Sequence, residues 1–361
     1  MLRTDKQSVF VLGLIHFFVD FTCTALLTAA AGRLSYWLVT ACALLYNGLA
    51  FAFQLPIGAL ADGMKWKRGL AAFGCLLIAS GTLVFGGIVM CILIGLGNAC
   101  FHVGGGREAL ERGKGTAGLV GRFVAPGAVG IFLGPRIAAW SLVIRVVLPL
   151  CLVGFAVFLW RQKENRGRED ISAMAIPRGR LAAICGCMFL TVLLRSYMGT
   201  ILTYPFMSNT AAAFCYTLCI FGGKYFGGIL ADRFGRVRSG AVTQGLGTVL
   251  LALSPAVPVL AFPAIFLFNT TMAVTAAGLY CCIPQLPGAM FGLTTFALYL
   301  GVLPRLLGLR GIPCNWQNLG SMSLLSAVLL VGGLILMRGG SRFGRSDPGV
   351  AAEIPGCDAA I

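Results

Sequence analysis

Charge is scarce in this chain. Asp, Glu, Lys and Arg make up 11% of its 361 residues, where a soluble domain carries about a quarter. Histidine is scarcer still, with two in the whole sequence. Neither histidine lies near the closest cysteine pairs, Cys185-Gly-Cys187 and Cys281-Cys282, so no zinc or redox box forms and no metal is expected. Phosphate-binding loops are also missing. Gly113-Lys114-Gly115-Thr116 lacks the Lys-Ser/Thr adjacency of a P-loop, and no strand precedes His102-Val-Gly-Gly-Gly-Arg107. No ATP-hydrolysing domain and no cofactor are therefore expected. The gaps between apolar runs are too short for a soluble catalytic domain, so the chain reads as a non-enzyme. The first apolar run has no small-residue cleavage site after it and reads as a retained helix, not a signal peptide.

What fills the chain is apolar. Hydrophobic residues reach 58% and the mean hydropathy is +0.88. Crossing about 30 Å of hydrocarbon takes roughly 20 apolar residues, and runs of that length tile nearly the whole sequence. Spans are expected at 8–31, 36–61, 70–87, 88–106, 116–135, 138–160, 180–203, 208–231, 240–255, 257–282, 286–304 and 319–337. The third, fourth and ninth are short or abut a neighbour. The 49 glycines suit close helix packing in a membrane, and the 14 cysteines, nearly all inside apolar runs, read as small packing residues.

The fold class that follows is an all-α polytopic membrane protein of about 12 transmembrane helices in two six-helix pseudo-repeats. Residues 1–160 form the first half and 180–338 the second. The charged stretch 161–179 reads as a cytoplasmic linker, and 339–361 as a disordered cytoplasmic tail. The formal net charge of +16 does not point to nucleic acid, because the cations are not on one soluble face. Only Arg33, Arg136, Arg305 and Arg310 lie in gaps on one side. Arg122, Arg145, Arg195 and Lys224 lie within spans, and every other Lys and Arg falls on the opposite side. The positive-inside rule makes that side, and both termini, cytoplasmic. A bacterial plasma membrane and a monomer are expected.

One phrase occurs twice, half a chain apart. Gly58-Ala59-Leu60-Ala61-Asp62 precedes Lys65, Lys67 and Arg68; Gly228-Ile229-Leu230-Ala231-Asp232 precedes Arg233, Gly235, Arg236 and Arg238. An acid at a helix end with cations just beyond can pair with neighbouring helix ends and latch one conformation. The pattern resembles the loop between helices two and three of the major facilitator superfamily, and its echo between helices eight and nine. The second copy matches closely; the first has Gly63 where an Arg is usual. A second resemblance lies in the fifth span. Pro126-Gly127, Gly130, Gly134 and Pro135 are similar to the Gly- and Pro-rich fifth helix of many exporters of the superfamily. Glycines at four-residue spacing let backbones approach closely, and Pro135 ends or kinks the helix. Within the superfamily, Gly95 to His102, Leu193 to Ser196 and Pro287 to Leu293 resemble stretches of the fosmidomycin-resistance type.

A charge at the bilayer centre costs about 2.5–3.5 kcal/mol on insertion scales, so a retained one needs a partner or a task. His16 and Asp20 lie one turn apart in the first span. Asn98 and His102 repeat that spacing in the fourth. Arg195 lies deep in the seventh, and Asn269, Thr270 and Thr271 lie in the tenth. The resemblance implies that helices one, four, seven and ten line a central cavity. Asp20 is then the expected proton carrier, since a carboxylate in low dielectric can be poised to exchange a proton, with His16 tuning it. Arg195 would hold an anionic substrate group or act as counter-ion to Asp20. His102, Asn98, Asn269 and Thr271 would line the wall. Arg122, Arg145 and Lys224 lie nearer span ends, where they can snorkel to the interface. The expected function is secondary transport by alternating access: export of a small drug-like or anionic compound by proton antiport. Uptake of a small metabolite on the same fold, and a non-transporting receptor or scaffold, are the alternatives. The partners are a small molecule, protons and lipid.

Overall fold

The computed structural model describes residues 5–63, 67–84, 87–162 and 176–343, with the side chains of 67, 68 and 339–343 outside the description. Most of the linker and the tail after 343 lie outside the described residues, as do Lys65 and the side chains of Lys67 and Arg68.

Twelve helical spans follow one another, with no strand among the described residues. They are α1 (Asp5–Ala31), α2 (Tyr36–Asp62), α3 (Lys67–Leu83), α4 (Ile88–Gly113), α5 (Ala117–Leu133) and α6 (Val143–Arg161). The second set is α7 (Arg178–Ile201), α8 (Thr210–Phe234), α9 (Arg236–Leu253), α10 (Pro258–Cys282), α11 (Pro287–Leu306) and α12 (Trp316–Phe343). Ten are long and apolar enough to cross a bilayer. The two that fall short, α3 and α9, are among the segments the sequence marks as short. Large apolar side chains stay exposed on the outside of the bundle, for example Leu150, Leu246, Val249 and Val328, as a lipid-facing surface requires. The chain is an integral membrane protein.

The expected fourth span, 88–106, needs correction: α4 runs on to Gly113. Its extra two turns carry Arg107, Glu108, Glu111 and Arg112, which pair at i,i+4. Arg107 meets Glu111 at 3.2 Å and Arg112 meets Glu108 at 2.6 Å. Mutual neutralisation on the helix surface lets a charged segment stay helical. Local sequence also sets the breaks. Gly235 sits at φ +84° between α8 and α9, a backbone conformation that glycine adopts without strain. Asn209 caps α8 by accepting the Ala212 N–H at 3.0 Å. Pro287 starts α11, where a missing N–H costs nothing. Three spans are irregular: α2 widens to a π-turn at Gly48–Ala52 and α6 at Val143–Val147, and α10 is broken at Thr270–Thr271.

The packing repeats between the halves. In the first, α1 packs on α5, and α3 packs on α4 and α6. In the second, α7 packs on α11, and α9 packs on α10 and α12. The halves meet through α5 against α8 and α2 against α11. The α2 contact is made mainly by its last two turns, Gln54–Asp62, so the halves close at the end that carries the repeated loops. The glycine face of α5 lies on α1. A Cβ at Gly130 would stand 3.0 Å from the Phe21 nitrogen, and one at Gly134 would stand 3.0 Å from the Ala25 nitrogen. Pro126 sits within the helix, and Pro135 falls in the 3-10 turn Gly134–Ile137 that follows it.

Candidate functional site

In the first half, α1 and α4 each present a pair of polar side chains one turn apart, and the two pairs meet. His16 Nε2 lies 3.0 Å from Asp20 Oδ2, and Asn98 Nδ2 donates to Asp20 Oδ1 at 3.0 Å. His102 Nε2 lies 2.8 Å from His16 Nε2 and 3.8 Å from Asp20 Oδ1. The far nitrogen of each ring is tied to backbone: His16 Nδ1 to the Phe123 carbonyl at 2.7 Å, and His102 Nδ1 to the Asn98 carbonyl at 2.9 Å. Asn98 also reaches Tyr46 Oη at 3.4 Å. All four side chains are buried, Asn98 completely. The rings of Phe101 and Phe123 flank His16 at 6.2 and 5.0 Å. Toward the closed end, Phe123 meets Phe291 of the other half at 6.0 Å, so an aromatic floor spans the two halves beneath the cluster. A spacing of four residues in two separate spans was the readable signal. The parts supplied by Tyr46, the Phe123 carbonyl and Gly127 carry no polar pattern. Gly127 leaves room for the cluster, because a Cβ there would stand 2.8 Å from His16 Cε1.

The second half presents cations. Buried Arg195 of α7 donates from Nη1 to Thr271 Oγ1 at 2.8 Å, and its Nη2 lies 2.8 Å from Met272 Sδ. The break in α10 turns Thr271 toward it. No carboxylate pairs with Arg195 among the described residues, so it is not held as counter-ion to Asp20 in this structure. Lys224 of α8 has no hydrogen-bond or ion-pair partner among the described residues; it lies within electrostatic range of Arg195, Asp20 and His102. Lys224 therefore faces the centre and does not snorkel. Arg122 of α5 stands over the Tyr225 ring at 6.0 Å, with its Nε buried and without a hydrogen bond. Arg145 is exposed on α6. The tenth-span polar residues separate. Thr271 reaches Arg195, Thr270 bonds Thr243 at 2.8 Å, and Asn269 bonds back to the Ile265 carbonyl at 2.9 Å. Asp20 is the one described carboxylate in the middle of the bundle. Asp5, Asp62, Glu108, Glu111 and Asp232 gather at the closed end.

At that end both repeated phrases bridge the halves. Asp62 accepts from the Gly288 and Ala289 nitrogens at 2.8 and 2.9 Å, at the start of α11. Asp232 accepts from the Ala117 and Gly118 nitrogens at 2.8 and 2.7 Å, at the start of α5. The first N–H groups of a helix lack internal partners and carry partial positive charge, so a carboxylate fits there. Gly58 and Gly228 lie against the same helix starts. Arg236 is buried and donates to the Gly115 carbonyl, while Arg233 is exposed and lies over the neighbouring Phe234 ring at 5.5 Å. Sequence reasoning missed Arg107, which donates to the Ala61 carbonyl and approaches Asp62 at 3.7 Å. A span ending at 106 puts it in the loop beyond.

No protein-family model matches the chain, and no curated protein matches it. Solved structures do. The chain is similar to a variant of the Escherichia coli fucose:proton symporter FucP, at a TM-score of 0.60 and 13% identity, over 94% of this chain and 99% of that one. It is also similar to FucP described as a major facilitator superfamily transporter in the outward conformation, at a TM-score of 0.57 and 12% identity, over 92% of this chain and 99% of that one. The fold is thus the major facilitator fold of two six-helix halves.

Proposed function

We propose that the chain is a secondary active transporter that moves a small anionic compound through the centre of the bundle, coupled to protons and working by alternating access. The observation that carries this is the charge facing inward from the second half. Arg195 and Lys224 lack carboxylate partners among the described residues, in a region where an uncompensated ion costs several kcal/mol. An anionic ligand held by the Arg195 fork and the Lys224 ammonium supplies the missing charge. Across from them, the Asp20 cluster is the group that exchanges protons. The latch end is closed, which suits a state open to the other side, and the similar FucP chain is described in an outward conformation.

The stretches similar to fosmidomycin-resistance exporters favour export by antiport, from a bacterial plasma membrane with both termini in the cytoplasm. Proton symport is the second reading. An anion beside Arg195 and Lys224 draws positive charge toward Asp20, so proton and anion assist one another, and the similar FucP is a fucose:proton symporter.

The test is proton movement in vesicles reconstituted with the protein, read with a pH-sensitive dye. Phosphonates, organic anions and neutral sugars are added to the parent and to Arg195→Gln. The reading expects anions to evoke proton movement in the parent, with Arg195→Gln silent; outward or inward movement decides antiport or symport. A response to neutral sugars that survives Arg195→Gln rejects the anion.

A further inference from the structure

The hydrogen bonds at the centre of the first half call for one proton beyond two neutral imidazoles and an ionised carboxylate. Carbonyl oxygens only accept. His16 Nδ1 faces the Phe123 carbonyl at 2.7 Å and His102 Nδ1 faces the Asn98 carbonyl at 2.9 Å, so both Nδ1 atoms carry their hydrogens. In two neutral rings both Nε2 atoms would then be bare lone pairs. Yet those two atoms stand 2.8 Å apart, and His16 Nε2 is also 3.0 Å from a carboxylate oxygen of Asp20. Three acceptors would converge with no hydrogen between them. A single proton on His16 Nε2 serves both contacts as one three-centre hydrogen bond.

We infer that the proton this site holds resides on His16, shared between the Asp20 carboxylate and His102 Nε2, and that Asp20 is its counter-ion. The placement rests on this geometry alone; its use in coupling rests on the transport proposed above. Balance is simple. With the proton bound, the cluster holds one imidazolium and one carboxylate and is neutral. Releasing it from His16 Nε2 leaves the carboxylate charge and two facing lone pairs, so the cluster must re-form around another donor or a cation.

The groups facing the cluster fit this assignment. From α4, Asn98 donates to Asp20 Oδ1 and so supports the ionised carboxylate. Tyr46 of α2 lies 3.4 Å from Asn98 Nδ2, and Cys23 of α1 lies 3.9 Å from the same atom. From α5 come the Phe123 carbonyl and, further off, Arg122. From the second half, Lys224 adds positive charge within electrostatic range of Asp20 and His102, which supports the ionised carboxylate and works against the imidazolium, so Asp20 is needed as its counter-ion. The Lys224 charge opposes a divalent metal, although the three ligand atoms lie within 4.8 Å of one another. Zinc–nitrogen bonds of about 2.0–2.1 Å at tetrahedral angles hold ligand atoms about 3.3 Å apart, wider than the 2.8 Å here.

Both histidines of the chain are in this cluster, so histidine labelled with nitrogen-15 reports on it alone. The full-length protein in lipid nanodiscs, stripped with EDTA, is studied by nitrogen NMR at neutral pH. The expected spectrum has one ring protonated at both nitrogens, one ring with a bare Nε2, and scalar coupling across the Nε2–H–Nε2 hydrogen bond. His102→Gln keeps an acceptor and is expected to leave His16 doubly protonated with the coupling gone. Two rings with bare Nε2 atoms and no coupling in the parent overturn the assignment. So does an imidazolium signature on His102 with His16 neutral. Signals that shift on both Nε2 atoms with micromolar zinc, and that lack the coupling without it, assign the cluster to a metal instead. The parent spectrum decides by itself, so the result does not depend on a variant folding or on any transported compound.

Discussion

Asp62 and Gly288 join the halves across 226 residues of sequence: the carboxylate of one accepts the N–H of the other at 2.8 Å. Asp232 makes the same bond to the start of α5. Each latch exists only while the ends are together, so each biases the equilibrium between states by its own free energy. Hydrogen bonds to an ionised group are worth about 1.5–3 kcal/mol. Asp62→Asn keeps the shape and loses the charge. It is expected to shift the population toward an open latch end by about 5–30-fold, the equivalent of 1–2 kcal/mol. The two latches use different helix pairs, so Asp62→Asn and Asp232→Asn are expected to add in the double variant. Spin-label distances between α2 and α11 measure this; unchanged distances in all three variants would remove the latches from the mechanism.

The glycines of the repeated phrases set how closely those ends approach. A Cβ at Gly58 would stand 2.9 Å from the Ala289 nitrogen, and one at Gly228 would stand 3.0 Å from Gly118 Cα. Those neighbours are backbone and cannot rotate away. Gly58→Ala and Gly228→Ala are expected to disfavour the closed end by about 1–3 kcal/mol, the usual cost of overpacking, while each half stays folded. The check is a pair of readouts: substrate flux that falls sharply, and a thermal melting temperature that barely moves. A parallel loss of both would mean that the glycines serve folding and not closure.

The spans were legible because apolar length is dictated by the bilayer, whatever the helices do to each other. The polar pairs His16–Asp20 and Asn98–His102 were legible because a four-residue spacing survives in one dimension. What the sequence hid depends on contacts between helices. Arg107 reads as a loop cation in the sequence because its neutralising partner, Glu111, lies one turn further on, beyond the apolar run that ends at 106. Lys224 looked like a residue near a span end, because sequence does not tell which side of α8 faces the other half. The break at Thr270–Thr271 has neither proline nor glycine to announce it. It is held by Thr270 turning to Thr243 of α9, a partner 27 residues away.

Thr271 aims the Arg195 guanidinium, its Oγ1 accepting from Nη1 at 2.8 Å. Thr271→Val keeps the volume and removes the acceptor. If Arg195 binds the anion, the guanidinium becomes free to swing, and anion affinity is expected to fall about 5–10-fold, one hydrogen bond of about 1 kcal/mol or slightly more. Arg195→Lys is expected to cost more, since a point charge cannot grip a carboxylate or phosphonate with two parallel bonds. Titration calorimetry on the purified protein reads both. Equal affinity in the parent and in Thr271→Val would show that Arg195 is positioned by the rest of its pocket.

Lys224 gives the most direct readout of uncompensated charge. Its ammonium is half-buried with no hydrogen-bond or ion-pair partner among the described residues, and the nearby Arg195 repels it more than the farther Asp20 attracts it. Desolvation and repulsion therefore destabilise the substrate-free fold, and an apolar side chain of similar length relieves both. Lys224→Met is expected to raise the melting temperature of the empty protein. The same change removes one of the two groups proposed to hold the anion, so the stabilisation that ligands give by binding the native state is expected to shrink or vanish. The two effects have opposite signs, which separates them from general damage to the fold. A lower melting temperature without ligand would mean that Lys224 is already compensated, and the charge argument for an anionic substrate would then rest on Arg195 alone.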